Sequence, residues 1–201
     1  MSLRSITRLA LVVAALFLSP AVASAHPGFG AHAGFAAGFM HPLSGLDHVL
    51  AMTAVGLLAA RLGRRGIWVV PLSFMAVMAL GGALGMAGVE LPFVGTMLAV
   101  SLVVLGLAVA MPRRCPLLAA MLMVGVFGLF HGHAHGSEMP LTASGLDYGA
   151  GFLAAAGLLH LLGIGLGCRT TLLAPARAVR MTRLAGLMTT AIGVALLGSL
   201  M

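Results

Sequence analysis

Long apolar stretches separated by short polar ones make up most of the chain. A membrane-spanning helix needs about 20 apolar residues, and the stretches beyond residue 30 approach or exceed that length. The pattern predicts an all-α polytopic membrane protein, a helix bundle with six transmembrane helices. The first helix is interrupted, because Pro42 and Gly45 break helix geometry near its start. The predicted spans are 30–61, Ile67–Ala87, Leu91–Met111, Pro116–Phe130 with the histidine run that follows, Leu146–Gly167 and Leu184–Leu200.

Residues 1–25 have the features of a cleaved signal peptide. Arg4 and Arg8 give a basic start, a short apolar region follows, and Ala23-Ser24-Ala25 is a small-residue cleavage site. The alternative is an uncleaved first helix. We predict cleavage, which leaves residues 26–201 as the transmembrane domain and places His26 outside the cytoplasmic membrane of a bacterium.

The distribution of charge fixes the predicted topology. The chain is 61% hydrophobic and 7% charged, and all eleven of its cationic residues are arginines. Beyond Arg4 and Arg8, the other nine fall in the loops 61–66, 111–115 and 168–183. These loops lie on one side of a six-span bundle, and the positive-inside rule makes that side cytoplasmic. Both ends of the mature chain are therefore predicted to be periplasmic. The arginines form no aromatic-interleaved basic patch, which excludes nucleic acid as a partner.

Two polar stretches interrupt the apolar pattern, one in the first span and one at the end of the fourth. They are His41-Pro42-Leu43-Ser44-Gly45-Leu46-Asp47-His48 and Phe130-His131-Gly132-His133-Ala134-His135-Gly136-Ser137-Glu138. Together they hold five of the eight histidines and two of the four acidic residues. An ionised aspartate at the bilayer centre costs roughly 2.5–3.5 kcal/mol, so such groups have partners. We interpret the two stretches as binding a divalent metal ion.

The spacing of the second stretch supports this interpretation. Residues i, i+4 and i+7 share a helix face, so His131, His135 and Glu138 converge while His133 points elsewhere. Imidazole with carboxylate suits Ni²⁺, Co²⁺ or Zn²⁺ as a bound ion, with no prosthetic group. Whether the acidic side chains bind the metal or orient the imidazoles is left open. The predicted metal-binding residues are His41, Asp47, His48, His131, His135 and Glu138, with His26, Met52, His133 and Asp147 as weaker candidates.

Two further patterns concern packing and the path of the ion. Ser44-Gly45-Leu46-Asp47-His48 recurs as Ser144-Gly145-Leu146-Asp147-Tyr148, which is either a parallel internal repeat or a coincidence. Gly81-x-x-x-Gly85 and Gly163-x-x-x-Gly167 fit close helix packing. His160 lies deep in the fifth span, where it is either a core residue or part of a path for the ion.

Both histidine motifs resemble signatures of the HupE/UreJ family. The first reads His41-Pro42-x-x-Gly45-x-Asp47-His48-x-x-x-Met52, and the second reads Phe130-His131-Gly132-x-Ala134-His135-Gly136-x-Glu138. The family is regarded as secondary permeases for nickel, and in some members cobalt, that supply hydrogenases and ureases. The resemblance implies that His41, Asp47, His48, His131, His135 and Glu138 bind the metal in transit.

We therefore favour a nickel or cobalt permease, not an enzyme, with membrane lipid and a divalent metal ion as its partners. A homo-oligomer is left open. The chain has no lysine, so it contains no G-x-x-x-x-G-K-[ST] loop for ATP hydrolysis. One alternative is an intramembrane zinc hydrolase that uses three histidines, an aspartate and Ser44. Another is a metal sensor or an accessory protein for metalloenzyme assembly that transports nothing.

Overall fold

Every secondary-structure element in the described part of the chain is an α-helix, which confirms the predicted all-α class. The computed structural model describes residues 32–111, 115–139, 144–170 and 174–200. The predicted signal peptide and His26 lie outside these residues. Within them the chain forms seven helices: α1 His32–Ser44, α2 Leu46–Arg61, α3 Gly63–Met86, α4 Val94–Ala110, α5 Leu117–Ser137, α6 Gly145–Thr170 and α7 Pro175–Ser199.

Four of these helices, α3, α5, α6 and α7, are long and apolar enough to cross a bilayer. The pair α1 and α2 makes a fifth candidate, bent by 84° at its break. Helix α4 is apolar but has 17 residues. At 1.5 Å per residue it is about 26 Å long, slightly less than the hydrocarbon core. Length and composition thus give four spans, or five with the bent pair, and the sixth remains a prediction.

The break in the first span lies at Gly45 and not at Pro42. Helix α1 continues through Pro42 and ends at Ser44, which corrects the prediction that this proline interrupts the helix. Gly45 has an extended backbone, with φ −101° and ψ 119°, and starts the new direction of α2. A Cβ atom at Gly45 would lie 2.8 Å from both Asp47 Oδ1 and His48 Nδ1. The glycine therefore leaves room for these two side chains.

The arginine-rich segment before the last span is also more helical than predicted. Helix α6 continues to Thr170, and α7 begins at Pro175 instead of in the apolar region from Leu184. Proline is well suited to the first turn of a helix, because the N–H that it lacks would have no helical partner there. Arg177, Arg180 and Arg183 consequently extend from the first turns of α7 rather than from a loop.

The helices run alternately between two ends of the bundle. One end carries the starts of α2 and α6 and the C-terminus of α5, and we call it the histidine end. The opposite end holds Arg61 at the C-terminus of α2 and Arg169 near that of α6, and we call it the arginine end. Arg61 donates a hydrogen bond of 2.9 Å to the carbonyl of Ala108 and others to Val109 and Met111. It thereby satisfies carbonyls at the C-terminus of α4 and ties α2 to that helix.

Glycines allow the closest helix contacts. Helix α3 packs along α5, α4 along α7, and α6 along α1 and α2. A Cβ atom at Gly81 would lie 2.1 Å from the carbonyl oxygen of Leu129, and one at Gly163 would lie 2.2 Å from that of Thr53. Both predicted small-residue motifs therefore contain a glycine against which another backbone packs directly. The α3–α5 contact is the one that positions the histidines of α5.

Replacing Gly132 by alanine is expected to loosen the α3–α5 contact. A Cβ atom at Gly132 would lie 1.9 Å from the Met78 carbonyl oxygen, so the two backbones must move apart. Overpacking of this kind costs about 1–3 kcal/mol, which lowers an unfolding midpoint by roughly 2–12 °C. Thermal unfolding of the purified protein in detergent measures the change.

Gly82→Ala is the matched control from the same interface. A Cβ atom there would lie 3.5 Å from the nearest atom outside its own helix, the Gly132 carbonyl oxygen, which is an ordinary contact. Its unfolding midpoint should stay close to that of the wild type. Equal midpoints for the two variants would contradict a backbone contact at Gly132.

Candidate metal centre

The structure joins the two histidine motifs in one cluster. His41 on α1, His48 on α2, and His131 and His135 on α5 form what we call the imidazole cluster. The ring centroids of His41 and His135 are 4.5 Å apart, those of His135 and His48 4.3 Å, and those of His48 and His131 5.0 Å. The four rings therefore form a continuous series rather than two separate sites.

Local helix geometry explains this arrangement. The bend at Gly45 starts α2 at the histidine end, so that His48 lies in its first turn. His131 and His135 are four residues apart on α5 and share one face. His133 lies on another face, where its Nε2 atom donates a hydrogen bond of 2.6 Å to the carbonyl of Val89. The prediction that His133 points away from the other two is confirmed.

Three side chains at the outer part of the cluster are spaced for a shared ion. One possible ligand atom from each of His41, His135 and Glu138 lies within 4.8 Å of the others. The distance from His41 Nε2 to Glu138 Oε2 is 3.4 Å. Ligands bound about 2.1 Å from a metal ion lie roughly 3.0 to 3.4 Å from each other in octahedral or tetrahedral geometry. The His41–Glu138 spacing already fits, and we call these three residues the ligand triplet.

His131 does not belong to this triplet, although the spacing predicted that it would converge with His135 and Glu138. Seven residues of helix separate His131 from Glu138, which places it about 10 Å deeper along α5. There its Nε2–H donates to Ser101 Oγ at 3.0 Å, because the serine hydroxyl itself donates to the Leu98 carbonyl. The shared face was predicted correctly, but the difference in depth separates the two levels.

Hydrogen bonds fix which nitrogen atoms are available to an ion. The Nδ1–H of His48 donates to Asp47 Oδ1 at 2.8 Å, which leaves the lone pair of His48 on Nε2. The bond to Ser101 leaves the lone pair of His131 on Nδ1. A carboxylate or hydroxyl behind an imidazole is the usual way in which proteins orient a metal-binding histidine. Asp47 is thus placed to orient His48.

The nitrogen atoms left over have no hydrogen-bond partner in the described structure. His48 Nε2, His131 Nδ1 and both ring nitrogens of His135 are buried in this state. A buried polar group without a partner costs about 1–3 kcal/mol. Several such atoms in one cluster are expected where a cationic ligand completes their bonding. The donor set of imidazoles with a nearby carboxylate suits a borderline divalent metal.

The two outer ligands are exposed to water, whereas the inner rings of the cluster are buried. The side chain of Glu138 is 64% exposed and that of His41 is 31% exposed. His135 is 2% exposed and His131 is fully buried. An ion would therefore meet water-exposed ligands first and buried ones afterwards, as along an entry path.

Two of the weaker candidates, Met52 and Asp147, lie outside the ligand triplet. Met52 is fully buried in the hydrophobic core one turn after His48. Asp147 lies beside Gly34 of α1, where a Cβ atom on the glycine would be 3.1 Å from the Asp147 Cβ. It is not part of the ligand triplet.

Sequence reasoning missed Tyr148 and Ser101. The hydroxyl of Tyr148 lies 2.9 Å from His41 Nδ1, so it holds this ring while Nε2 faces Glu138. The internal repeat pointed to Tyr148, which occupies the position equivalent to His48. The available signal for Ser101 is that it and Thr96 are polar residues in an otherwise apolar helix.

Comparison with known proteins gives a consistent relationship. The HupE / UreJ protein family model matches residues 13–196. Protein HupE of Rhizobium leguminosarum bv. viciae is 49% identical over 160 residues, which cover 80% of this chain and 83% of the relative. No solved structure matches the chain significantly. The family match covers both histidine motifs and the seven described helices except for the last three residues of α7, and the chain belongs to the HupE/UreJ family.

Proposed function

We propose that the protein is a secondary permease that carries a divalent transition metal, Ni²⁺ or Co²⁺, into the cytoplasm for metalloenzymes such as hydrogenase or urease. Its family is associated with nickel and cobalt uptake for these enzymes. The observation that carries the proposal is the group of buried imidazole nitrogens without partners, next to the ligand triplet and inside a membrane bundle.

The proposed topology has six spans after a cleaved signal peptide in the cytoplasmic membrane. The bent pair α1 and α2 forms the first span, and α4 is a short one, within the range of about 17–25 residues that spans cover. Discontinuous helices are typical of transporter binding sites. The arginine end faces the cytoplasm by the positive-inside rule. The histidine end, with the exposed Glu138, then faces the periplasm.

The energetics suit passive inward movement. Each elementary charge gains about 2.3 kcal/mol per 100 mV of membrane potential, so a divalent cation gains about twice that on entering. Neutral imidazoles bind borderline metals without the permanent charge of thiolates, which favours release as well as binding. We infer moderate affinity, with the membrane potential as the energy source.

The competing functions find less support in the site. In the hydrolase hypothesis Ser44 would act at the metal, but its hydroxyl donates a 2.6 Å hydrogen bond to the His41 carbonyl. An accessory protein needs a surface for a soluble partner. The predicted loop 168–183 could have offered one, but only four residues, 171–174, separate α6 from α7. Both remain outcomes of the experiment below.

Uptake of radioactive Ni²⁺ by cells that produce the protein tests the proposal, with Co²⁺ and Zn²⁺ as competitors. The wild type should accumulate nickel, and Co²⁺ should compete better than Zn²⁺. His48→Ala should reduce accumulation to the level of cells without the protein, because it removes the central ring of the series. Immunoblotting of membranes shows that both proteins are inserted.

Absence of uptake by a correctly inserted wild type that binds metal would contradict the permease. Lipid-hydrolysis assays with bound Zn²⁺ would then test the hydrolase. Full uptake by His48→Ala would instead show that the imidazole cluster is not the path.

A further inference from the structure

Besides His133, one more described histidine is buried outside the imidazole cluster. His160 of α6 is 1% exposed, and neither of its ring nitrogens has a hydrogen-bond partner in the described structure. An imidazole kept only for packing is expected to have at least one nitrogen bonded, as His133 does through the Val89 carbonyl. The state of His160 instead resembles that of His135 in the cluster, where both nitrogens are also available.

A single aromatic ring connects His160 with the cluster. Phe74 of α3 is fully buried, and its ring centroid lies 5.7 Å from that of His131 and 5.2 Å from that of His160. The contact with His160 is edge-to-face, with planes at 90°. Rotation of the Phe74 side chain would therefore open or close the space between the deepest ring of the cluster and His160.

A second buried polar group, the Thr53 hydroxyl, lies at the same level of the bundle as His160. Helices α2 and α6 contact each other through Gly56 and Gly163. A Cβ atom at Gly56 would lie 2.2 Å from the carbonyl oxygen of His160. A Cβ atom at Gly163 would lie 2.2 Å from the carbonyl oxygen of Thr53. The two helices are parallel, so Thr53 and His160 each lie one turn before this contact. Thr53 Oγ1 is also buried without a hydrogen-bond partner in the described structure.

The depth of this pair fits a later stage of transport. His160 follows Asp147 by thirteen residues of α6, which is about 20 Å along the helix axis towards the arginine end. The ligand triplet lies at the histidine end and contains a carboxylate, whereas His160 and Thr53 lie deeper in the bundle and are both neutral. A neutral pair of donors in a nonpolar interior holds a divalent cation weakly, which suits release into the cytoplasm.

We propose that His160 and Thr53 form a second, inner binding station for the transported divalent metal ion, reached from the imidazole cluster past the Phe74 ring. The inference rests on the proposed function for the direction of movement. It adds two residues and a separate step to that function, since the ion leaves the cluster before it reaches the cytoplasm.

Cobalt absorption spectroscopy tests whether an ion reaches this position. The variants His160→Cys and Thr53→Cys are made in a background in which Cys115 and Cys168 are replaced by serine. Each purified protein is loaded with Co²⁺ in detergent. A thiolate that binds Co²⁺ gives a charge-transfer band in the near ultraviolet, and we expect this band in both variants. His133→Cys, at a buried position outside the cluster, is the control and should show none.

Uptake measurements provide the second readout. His160→Gln should lower the maximal rate of nickel uptake about tenfold or more, with the KM for external nickel within about twofold of the wild type. This split is expected because the ligand triplet, which captures the ion, is unchanged. A variant that is merely misfolded would lose cobalt binding at the cluster as well.

The inner station is wrong if folded His160→Cys and Thr53→Cys both lack the band, or if His160→Gln transports like the wild type. A wild type that does not transport, combined with the band in both cysteine variants, refutes the permease and leaves the station in place. The two proposals can therefore fail separately.

Discussion

Nickel uptake is expected to fall by at least about 100-fold when His135 is replaced by alanine, since even residues that only support a metal ligand account for about 10–100-fold. His135 is the side chain that connects the ligand triplet to the rest of the imidazole cluster. Its ring contacts both His41 and His48, and it is one of the three residues spaced for a shared ion. Removing it both weakens capture and interrupts the series of rings.

His133→Ala is the matched control, two residues away on the same helix. It removes an imidazole of nearly equal burial, whose Nε2 atom bonds to the Val89 carbonyl and not to the cluster. We expect its uptake to stay within about threefold of the wild type, because the lost hydrogen bond affects stability by only about 1 kcal/mol. Initial rates, normalised to the amount of protein in the membrane, measure both. Equal losses in the two variants would show that α5 depends on its histidines for packing rather than for transport.

The sequence was most informative within single helices. The spacing of His131 and His135 predicted their common face because both lie in one regular helix with fixed periodicity. Glu138 shares the face but lies a further turn out, and its approach to His41, which belongs to another helix, could not be predicted from this spacing. The His41–Glu138 pairing depends on how α1 packs against α6 and thereby approaches α5, and a pattern within one helix does not predict such packing.

The break in the first span shows the same limit. Pro42 and Gly45 both signal a break, and only the surrounding structure decides between them. The chain turns at Gly45, where a larger residue would collide with the Asp47–His48 pair, whereas α1 accommodates the proline within its last turn. The predicted loop at 168–183 was also too long, because its arginines were taken as a sign of a loop. Arginine side chains can instead extend from a helix to the membrane surface, so the helix need not end where the arginines begin.

The internal repeat supplies the second large prediction. Asp47 and Asp147 occupy equivalent positions, each in the first turn of a helix that starts at the histidine end. Only Asp47 is followed by a histidine, and its carboxylate accepts the Nδ1–H of His48 at 2.8 Å. Position 148 holds a tyrosine, whose hydroxyl turns to His41 instead. The repeat thus offers two aspartates in similar backbone settings, of which one orients a ring of the cluster.

Asp47→Asn is expected to reduce nickel uptake by about 10–100-fold, as loss of a carboxylate behind a metal-binding imidazole usually does. An amide cannot offer the negative charge that favours the Nδ1–H form of His48, so its Nε2 lone pair faces the cluster less often. Asp147→Asn changes the equivalent aspartate outside the ligand triplet and should transport at nearly the wild-type rate. Metal affinity by calorimetry and initial uptake rates compare the two. Equal loss in both variants would mean that the aspartates attract the cation through charge alone, and an unaffected Asp47→Asn would remove the orienting role assigned to this carboxylate.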